Sequence, residues 1–443
     1  MLNLVKKIVP APVFNFFQPA YHWSLGFLGA LVYGFPSRKI FVIGVTGTKG
    51  KTTTCNFISQ ILEASGSKVG MATTVNFKIG EKEWKNETKQ TMLGRFQLQK
   101  LIREMRRAGC SHAIIETSSE GILQYRHRFI DYDVAVFMNI SPEHIERHGG
   151  FENYRKAKVR LFERVAKKRN GIGIYNLDDE NASYFLKPKV EKKYGFHLKS
   201  KSENHVLKEN GNFEKIVEIE NIKLDSEGSS FEIGGLKFKT PLIGEFNIYN
   251  FAAALSVALS QGINPLKIRD WAADLKLPSG RLEIIKTKGF SVIVDYAHEP
   301  ASLESVYKTA GSALGSKRLI CLLGGQGGGR DKWKRRAMGT LAGNYCKEVV
   351  LTNEDPYDEK PEDILNDIEA GLLQATENKF QIGKNYWKII DRKEAIEKVI
   401  SLARKGDAVV LTGKGGEAWM CVEDGKKIPW DEKKLVEEIL KKS

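Results

Sequence analysis

The sequence predicts an α/β fold: two doubly wound units in series, with a short apolar helical segment ahead of them. Three observations carry that reading. Apolar, β-branched runs alternate with stretches of helical spacing, first from Lys39 and again beyond Gly280. The first run leads directly into the glycine-rich segment Gly47-Thr48-Lys49-Gly50-Lys51-Thr52, so a strand, a tight loop and a helix follow one another. Between the two alternating regions, residues 205–242 change to short runs with Gly-Asn, Gly-Ser and Gly-Gly turns, which predicts an antiparallel excursion.

With 443 residues the chain is long enough for two or three domains with full cores. Apolar residues make up 42% and charged residues 28%, which excludes a disordered or collagen-like chain. A net charge of +15 suits nucleotides, nucleic acid or an anionic membrane surface without choosing among them. No nucleic-acid recognition module is found, so that partner is not expected. The five cysteines (Cys55, Cys110, Cys321, Cys346, Cys421) are widely spaced and form no CxxC pair. Neither a disulfide framework nor a Cys-rich zinc ribbon is expected, and the reducing cytoplasm is the expected compartment.

Residues 1–38 form the apolar N-terminal segment. From Ile8 to Ser37 there is no Lys, Arg, Asp or Glu, and Phe14, Phe16, Phe17, Tyr21, Trp23 and Phe27 crowd the stretch. It lacks the cleavage site of a signal peptide. Pro19 is expected to interrupt it, and Ala20 to Phe35 is shorter than the ~20 residues a spanning helix needs. Two readings stay open: a helical hairpin packed on the first domain, or an interfacial anchor with basic flanks at Lys6, Lys7, Arg38 and Lys39.

The central domain is expected over 39–280. Lys39–Gly47, His112–Glu116 and Val134–Asn139 read as strands; Lys51–Ala64, Phe96–Arg107, Tyr154–Lys168, Asn247–Ser260 and Pro265–Leu275 read as helices. Pro278-Ser279-Gly280 reads as a hinge. The second domain is expected over 281–443, with strands at Ser291–Asp295, Arg318–Leu323, Glu348–Thr352, Trp387–Ile390 and Ala408–Thr412.

The loop at Gly47–Thr52 carries the sharpest chemistry. Glycines let backbone N–H groups close around phosphate oxygens, and the helix N-terminus adds its partial positive charge. Lys51 would reach the terminal phosphates and Thr52 would offer a hydroxyl to Mg²⁺. Val45 stands where the general phosphate-loop pattern has its first glycine. Behind this loop, in order, come Glu116-Thr117-Ser118-Ser119 at a strand end, Asn139–His144 at the next, and the basic stretch Tyr154–Lys158. Each alone has a structural explanation; in this order they are not independent.

These motifs closely resemble the Mur ligase family, the ATP-dependent amide ligases of cell-wall precursor synthesis. The resemblance runs from about Lys39 to about Ala418, on TGTKGKTTT, ETSS, NISPEHIERHG, YRKAKVRLF, GEFNIYN, SGRLE and DYAH. Within the family it is most similar to the UDP-N-acetylmuramoyl-tripeptide synthetase type, through GGQGGGRDKWKR, TNEDPYDEKPED and GKGGE. The resemblance implies a central ATPase domain and a C-terminal Rossmann-like domain that binds the amino acid. It implies ATP and Mg²⁺ as cofactors and two chemical steps. A substrate carboxylate takes the γ-phosphoryl group to become an acyl phosphate, and the amine of a free amino acid then displaces phosphate. Catalysis falls to Lys51, Glu116, His144 and Lys158, and the metal ligands are Thr52, Glu116, His144 and a carbamylated Lys158. Nucleotide contacts fall to Gly47, Thr48, Lys49, Gly50, Lys51, Thr52, Thr53, Asn250 (at the adenine), Arg281, Asp295 and His298. Substrate contacts fall to Thr73, Thr74, Thr91, Ser118, Arg330, Glu354, Asp355 and Glu417.

The chain also departs from the family pattern. The family's usual N-terminal UDP-binding domain has no counterpart in the apolar residues ahead of Lys39. Glu120 and Glu143 replace a His and an Asp. Tyr357 stands where diaminopimelate-adding members have the Arg that holds the distal carboxylate, while Glu354, Asp355 and Glu417 offer acids for a second amine. The expected reaction is therefore addition of a diamino acid, lysine or ornithine before diaminopimelate, to a muramyl peptide by a monomeric cytoplasmic enzyme. The alternatives are a related ligase acting on folylpolyglutamate, a cyanophycin-like polymer or a lipid-linked wall precursor, or a non-catalytic nucleotide-binding scaffold at the membrane.

Overall fold

The structure is a computed structural model that describes residues 11–143, 145–201, 212–312, 315–316, 318–329, 331–375 and 379–442. An eleven-stranded sheet contains β1 (Phe41–Thr46), β2 (Val69–Ala72), β3 (Asn76–Ile79), β4 (Lys82–Lys85), β5 (His112–Glu116), β6 (Val134–Phe137), β7 (Ile172–Asn176), β8 (Lys192–Leu198), β9 (Lys215–Asp225), β10 (Gly228–Ile233) and β11 (Leu236–Thr240). Their order is β11-β10-β9-β8-β7-β6-β1-β5-β2-β3-β4. The strands from β9 to β2 run parallel, and antiparallel hairpins finish both edges. β1 lies between β5 and β6, where chain direction across the sheet reverses. Ligand crevices in such sheets open at that switch, beyond the carboxyl ends of the strands.

The expected β-branched runs make the buried strands. Their two faces are covered by the helices that the spacing predicts. Cys55, Phe57 and Ile58 of Lys51–Ala64 meet Phe251 and Leu255 of Glu245–Ser260 on one face. Leu98, Ile102 and Met105 of Arg95–Arg107 and Leu161 and Phe162 of Phe151–Val165 cover the other. The last of these helices begins and ends a turn earlier than the sequence suggests, because Gly150 with φ 124° breaks the chain ahead of it. The antiparallel excursion forms as β9, β10 and β11; its start at residues 205–211 lies outside the described residues.

A second sheet holds β12 (Glu283–Lys286), β13 (Ser291–Val294), β14 (Leu319–Leu323), β15 (Glu348–Leu351), β16 (Tyr386–Lys388) and β17 (Ala408–Leu411), in the order β12-β13-β17-β14-β15-β16. All its pairings are parallel except β12 with β13.

Two expectations are corrected here. Among its described residues the N-terminal segment holds one helix, Ala11–Val32, which runs through Pro19 instead of being interrupted there. A proline removes one backbone hydrogen bond, and the ladder on either side carries the helix past it. The helix docks through a small-residue face: His22, Gly26, Gly29 and Ala30 are buried, and Trp23 and Phe27 set their rings on Phe129 at 5.3 and 5.5 Å. Phe17, Tyr21, Leu28, Leu31 and Val32 face outward. No described helix is long and apolar enough to cross a membrane. Second, Cys321 of β14 and Cys346, just after the helix Trp333–Tyr345, form a disulfide across a Cα–Cα distance of 6.1 Å. The pairing is tertiary and leaves no local spacing signal. Cysteine usage therefore carries no argument about compartment.

Candidate active site

The glycine-rich loop closes over the carboxyl end of β1. Gly50 takes φ 78°, and a Cβ there would run into the Asn250 amide oxygen, so only glycine fits. Asn139 fastens the loop twice: its carbonyl accepts from Thr48 N–H at 2.9 Å and its side-chain oxygen from Lys49 N–H at 2.9 Å. Thr48 Oγ1 meets the Tyr154 hydroxyl at 3.0 Å. Lys51 and Thr52 then start the helix, with Thr53 buried behind them, and Lys51 Nζ folds back on the Thr48 carbonyl at 2.8 Å. This leaves a helix N-terminus and its N–H groups facing the cleft, the arrangement that binds phosphate. Asn250 sits against the loop, held by Thr54 and Asn247 at 3.4 and 3.1 Å.

Parallel register brings Glu116 beside this loop, since Val45 pairs with Glu116 at the strand ends. Thr52 Oγ1 donates to Glu116 Oε2 at 2.8 Å; Thr74 donates to the same carboxylate from its N–H at 2.8 Å and its hydroxyl at 3.0 Å, and reaches Thr91 at 3.0 Å. Hydroxyl and carboxylate oxygens side by side in a buried spot are hard donors of the kind Mg²⁺ takes. Lys158 is buried behind the loop, with Nζ 2.6 Å from the Gly47 carbonyl. Burial pushes its ammonium well below the ordinary lysine range, and Lys51 pushes the same way. Tyr154 and Lys158 share one helix face, and the ammonium stands 4.6 Å from the ring centre.

The other wall comes from the C-terminal domain. Asp295 is buried and anchors two backbone segments, accepting from Leu282 N–H at 2.6 Å and Ala297 N–H at 2.7 Å; burial raises its pKa. This sets Arg281 over the Tyr296 ring at 4.2 Å and turns His298 toward Glu143, 3.5 Å away. Lys49 of the loop pairs with Glu299 at 3.0 Å. The cleft is about 620 Å³ and runs from the loop to Asp355 and Glu417.

At that far end the acids are already engaged. Lys414 meets Asp355 at 2.9 Å and Glu417 at 2.7 Å; Lys89, from the central domain, meets them at 2.6 and 2.8 Å. Burial works to raise the Asp355 pKa, and Lys414 and Lys89 together overcome it and hold it low. Glu354 is fully buried, and neither oxygen has a hydrogen-bond partner among the described residues. Burial raises its pKa.

Of the residues picked from the sequence, Thr48, Lys49, Gly50, Lys51, Thr52, Thr53, Thr74, Thr91, Glu116, Ser118, Lys158, Asn250, Arg281, Asp295, His298, Asp355 and Glu417 line one cleft. Gly47 lies beneath it, its carbonyl taken by Lys158. Thr73 is turned away: its hydroxyl serves the turn at Asn76, donating at 2.5 Å to the side-chain oxygen. Glu354 lies behind the cleft wall, against Gly413. His144 and Arg330 lie outside the described residues. Lys89, Asn139 and Tyr154 also line the cleft and were not picked as site residues. Asn139 and Tyr154 lie within the quoted motifs, whereas Lys89 carries no local signal, because its partners are 266 and 328 residues away.

Comparison with known proteins agrees with this geometry. Residues 45–258 match the Mur ligase middle domain and residues 280–415 the Mur ligase glutamate ligase domain. The chain is 35% identical over 423 residues to UDP-N-acetylmuramoyl-L-alanyl-D-glutamate--2,6-diaminopimelate ligase of Syntrophomonas wolfei, covering 94% of this chain and 82% of that one. It is 35% identical over 443 residues to UDP-N-acetylmuramyl-tripeptide synthetase of a Roseiflexus species, covering 96% and 82%. A solved UDP-N-acetylmuramoyl-L-alanyl-D-glutamate--2,6-diaminopimelate ligase superposes with a TM-score of 0.60 at 28% identity, covering 91% and 78%. The Mycobacterium tuberculosis folylpolyglutamate synthase shares the fold, with a TM-score of 0.68 at 16% identity, covering 88% and 92%. Both domain matches, the relatives' coverage and the loop geometry lead to one conclusion: the chain belongs to the Mur ligase family.

Proposed function

We propose that this chain is an ATP-dependent, ADP-forming ligase that adds a dibasic amino acid to the free carboxylate of a muramyl-peptide cell-wall precursor. The observation that carries the reading is the single cleft with a phosphate loop at one end and a charged acceptor pocket at the other. The names of the relatives supply the muramyl-peptide class. In the first step a carboxylate oxygen attacks the γ-phosphorus of ATP, the bond to the β-γ bridging oxygen breaks, and ADP leaves. In the second the amino acid's amine nitrogen attacks the acyl carbon, phosphate leaves with the former carboxylate oxygen, and the nitrogen loses a proton.

Such transfers need charge neutralised and groups aligned more than covalent help. The loop N–H groups and Lys51 hold the phosphates. Thr52 and Glu116 would hold Mg²⁺, which supplies further charge neutralisation when bound; the family resemblance adds His144 and Lys158. Lys158 has a stated route to an anionic form. Burial and Lys51 both disfavour its charged form. Once the ammonium has given up its proton, the amine nitrogen attacks CO₂ and a second proton leaves, giving a carbamate. Arg281 and His298 complete the nucleotide site from the second domain, while Thr74, Thr91 and Ser118 face the peptide substrate. Tyr357 offers no cation to a distal carboxylate, which favours lysine or ornithine over diaminopimelate.

Both walls come from one chain, which supports a monomer, and ATP use supports a cytoplasmic site of action. The outward apolar face of Ala11–Val32 beside the basic helix Arg95–Arg107 supports peripheral contact with an anionic bilayer surface. The test is ADP release across a panel of muramyl peptides and amino acids. Turnover with a muramyl dipeptide and a dibasic acid supports the reading; turnover only with a folate or a non-wall acid refutes it.

A further inference from the structure

Lys89 reaches the acceptor acids from the opposite wall of the cleft. It sits in the loop between β4 and the helix Arg95–Arg107, and its ammonium lies 2.6 Å from Asp355 and 2.8 Å from Glu417. Those carboxylates already share Lys414. The two ammonium groups differ in kind. Lys414 has no exposed side-chain surface and donates also to the Trp419 carbonyl at 2.8 Å, so it belongs to the interior of its own domain. Lys89 keeps 12% of its side-chain surface, lines the cleft, and crosses between domains. Its backbone holds φ 56°, a left-handed conformation that a non-glycine residue adopts at a cost.

The charge count explains why a second cation is needed. Asp355 and Glu417 with Lys414 alone carry one surplus negative charge in a nearly closed pocket, where an unpaired charge is expensive. Lys89 cancels it. Its end group is a primary ammonium on an unbranched carbon chain, the same group that a dibasic amino acid carries on its side chain.

We propose that Lys89 is an intramolecular stand-in for the cationic end of the acceptor. It fills the place between Asp355 and Glu417 while no amino acid is bound, and the acceptor's side-chain ammonium displaces it. Lys89 is then a specificity residue: an acceptor with its own cation replaces it without leaving the acids unpaired, and a neutral side chain cannot. This inference rests on the acceptor reading above.

The experiment measures initial rates against acceptor concentration for the full chain, with lysine as acceptor, for wild type, K89Q, K89M and K89R. K89Q and K89M remove the competitor and leave the surplus charge. Each is expected to lower the KM for lysine about tenfold, the worth of one charge-assisted hydrogen bond. K89R keeps the cation and is expected to retain the wild-type KM. Agreement between K89Q and K89M separates loss of the cation from a folding defect in one variant. A KM for lysine that is unchanged or raised in both overturns the proposal. Wild-type ligation of neutral or acidic amino acids alone would instead overturn the acceptor reading itself, so the two failures are distinct.

Discussion

The ammonium of Lys158 donates to the Gly47 carbonyl at 2.6 Å, inside the protein and directly beneath the phosphate loop. A lysine held there is poorly solvated and close to Lys51, which keeps its pKa well down. Its charged form is disfavoured there in a way that it is not for a lysine on the surface.

Replacement of Lys158 by Ala should therefore cut phosphate release by about a hundredfold or more, the scale seen when one placed electrostatic group is lost. Short-chain carboxylic acids added to K158A should restore part of the rate, by filling the space of the carbamate. An unimpaired K158A enzyme would remove Lys158 from the mechanism.

Asp295 ties the hinge to the C-terminal sheet through the N–H groups of Leu282 and Ala297. D295A leaves both donors without that carboxylate, at about 1–3 kcal/mol for each buried group. Urea denaturation should show a loss of about 2 kcal/mol or more. The KM for ATP should rise as well, because Arg281 and His298 lose their support. A variant as stable as wild type would show that the hinge is held by other contacts.

Glu354 gives a pH signature. Its pKa is raised in the folded state, by burial first and then by Asp355, so folding favours its protonated form. The stability this contributes is present below the ordinary carboxylate range and is lost as pH rises through the raised value. E354Q removes that dependence. Calorimetry should find E354Q with a higher Tm than wild type at pH 8 and the gap closing toward pH 5. A gap that widens toward acid would contradict the assignment.

The outward face of the N-terminal helix predicts binding to anionic vesicles at low salt. The full chain should co-sediment with them, and a variant carrying Leu28→Asp and Leu31→Asp should not. Equal sedimentation of the two would sink the surface-contact reading.

Much of this architecture was legible because it is local. The strand, loop and helix around Gly47–Thr52 are adjacent in sequence, and the helix Lys51–Ala64 forms with the bounds that its spacing predicts. His112–Glu116 likewise forms as read, which delivers Glu116 to Thr52. What escaped is tertiary. The basic stretch at Tyr154–Lys158, taken alone, has the look of a solvated face, and Lys158 is singled out only through the family resemblance; packing buries both Arg155 and Lys158. Lys89 becomes informative only once two domains meet, and the Cys321–Cys346 bond only once a strand and a helix end are packed. The hydroxyl of Thr73, next to Thr74 in sequence, closes the turn between β2 and β3 instead of facing the cleft, accepting from the N–H groups of Val75 and Asn76 and donating to the Asn76 side chain.

The central claim is that the phosphate loop drives amide formation within this one cleft. The most direct measurement follows ADP and product mass together, with a UDP-muramoyl dipeptide, lysine or ornithine, ATP and Mg²⁺, for wild type and K51A. The account predicts that wild type forms ADP only when all components are present. The product should gain the mass of the amino acid less one water, and K51A should form neither product nor ADP. ADP formation by K51A at the wild-type rate, or ADP released by wild type without any amide product, would contradict it.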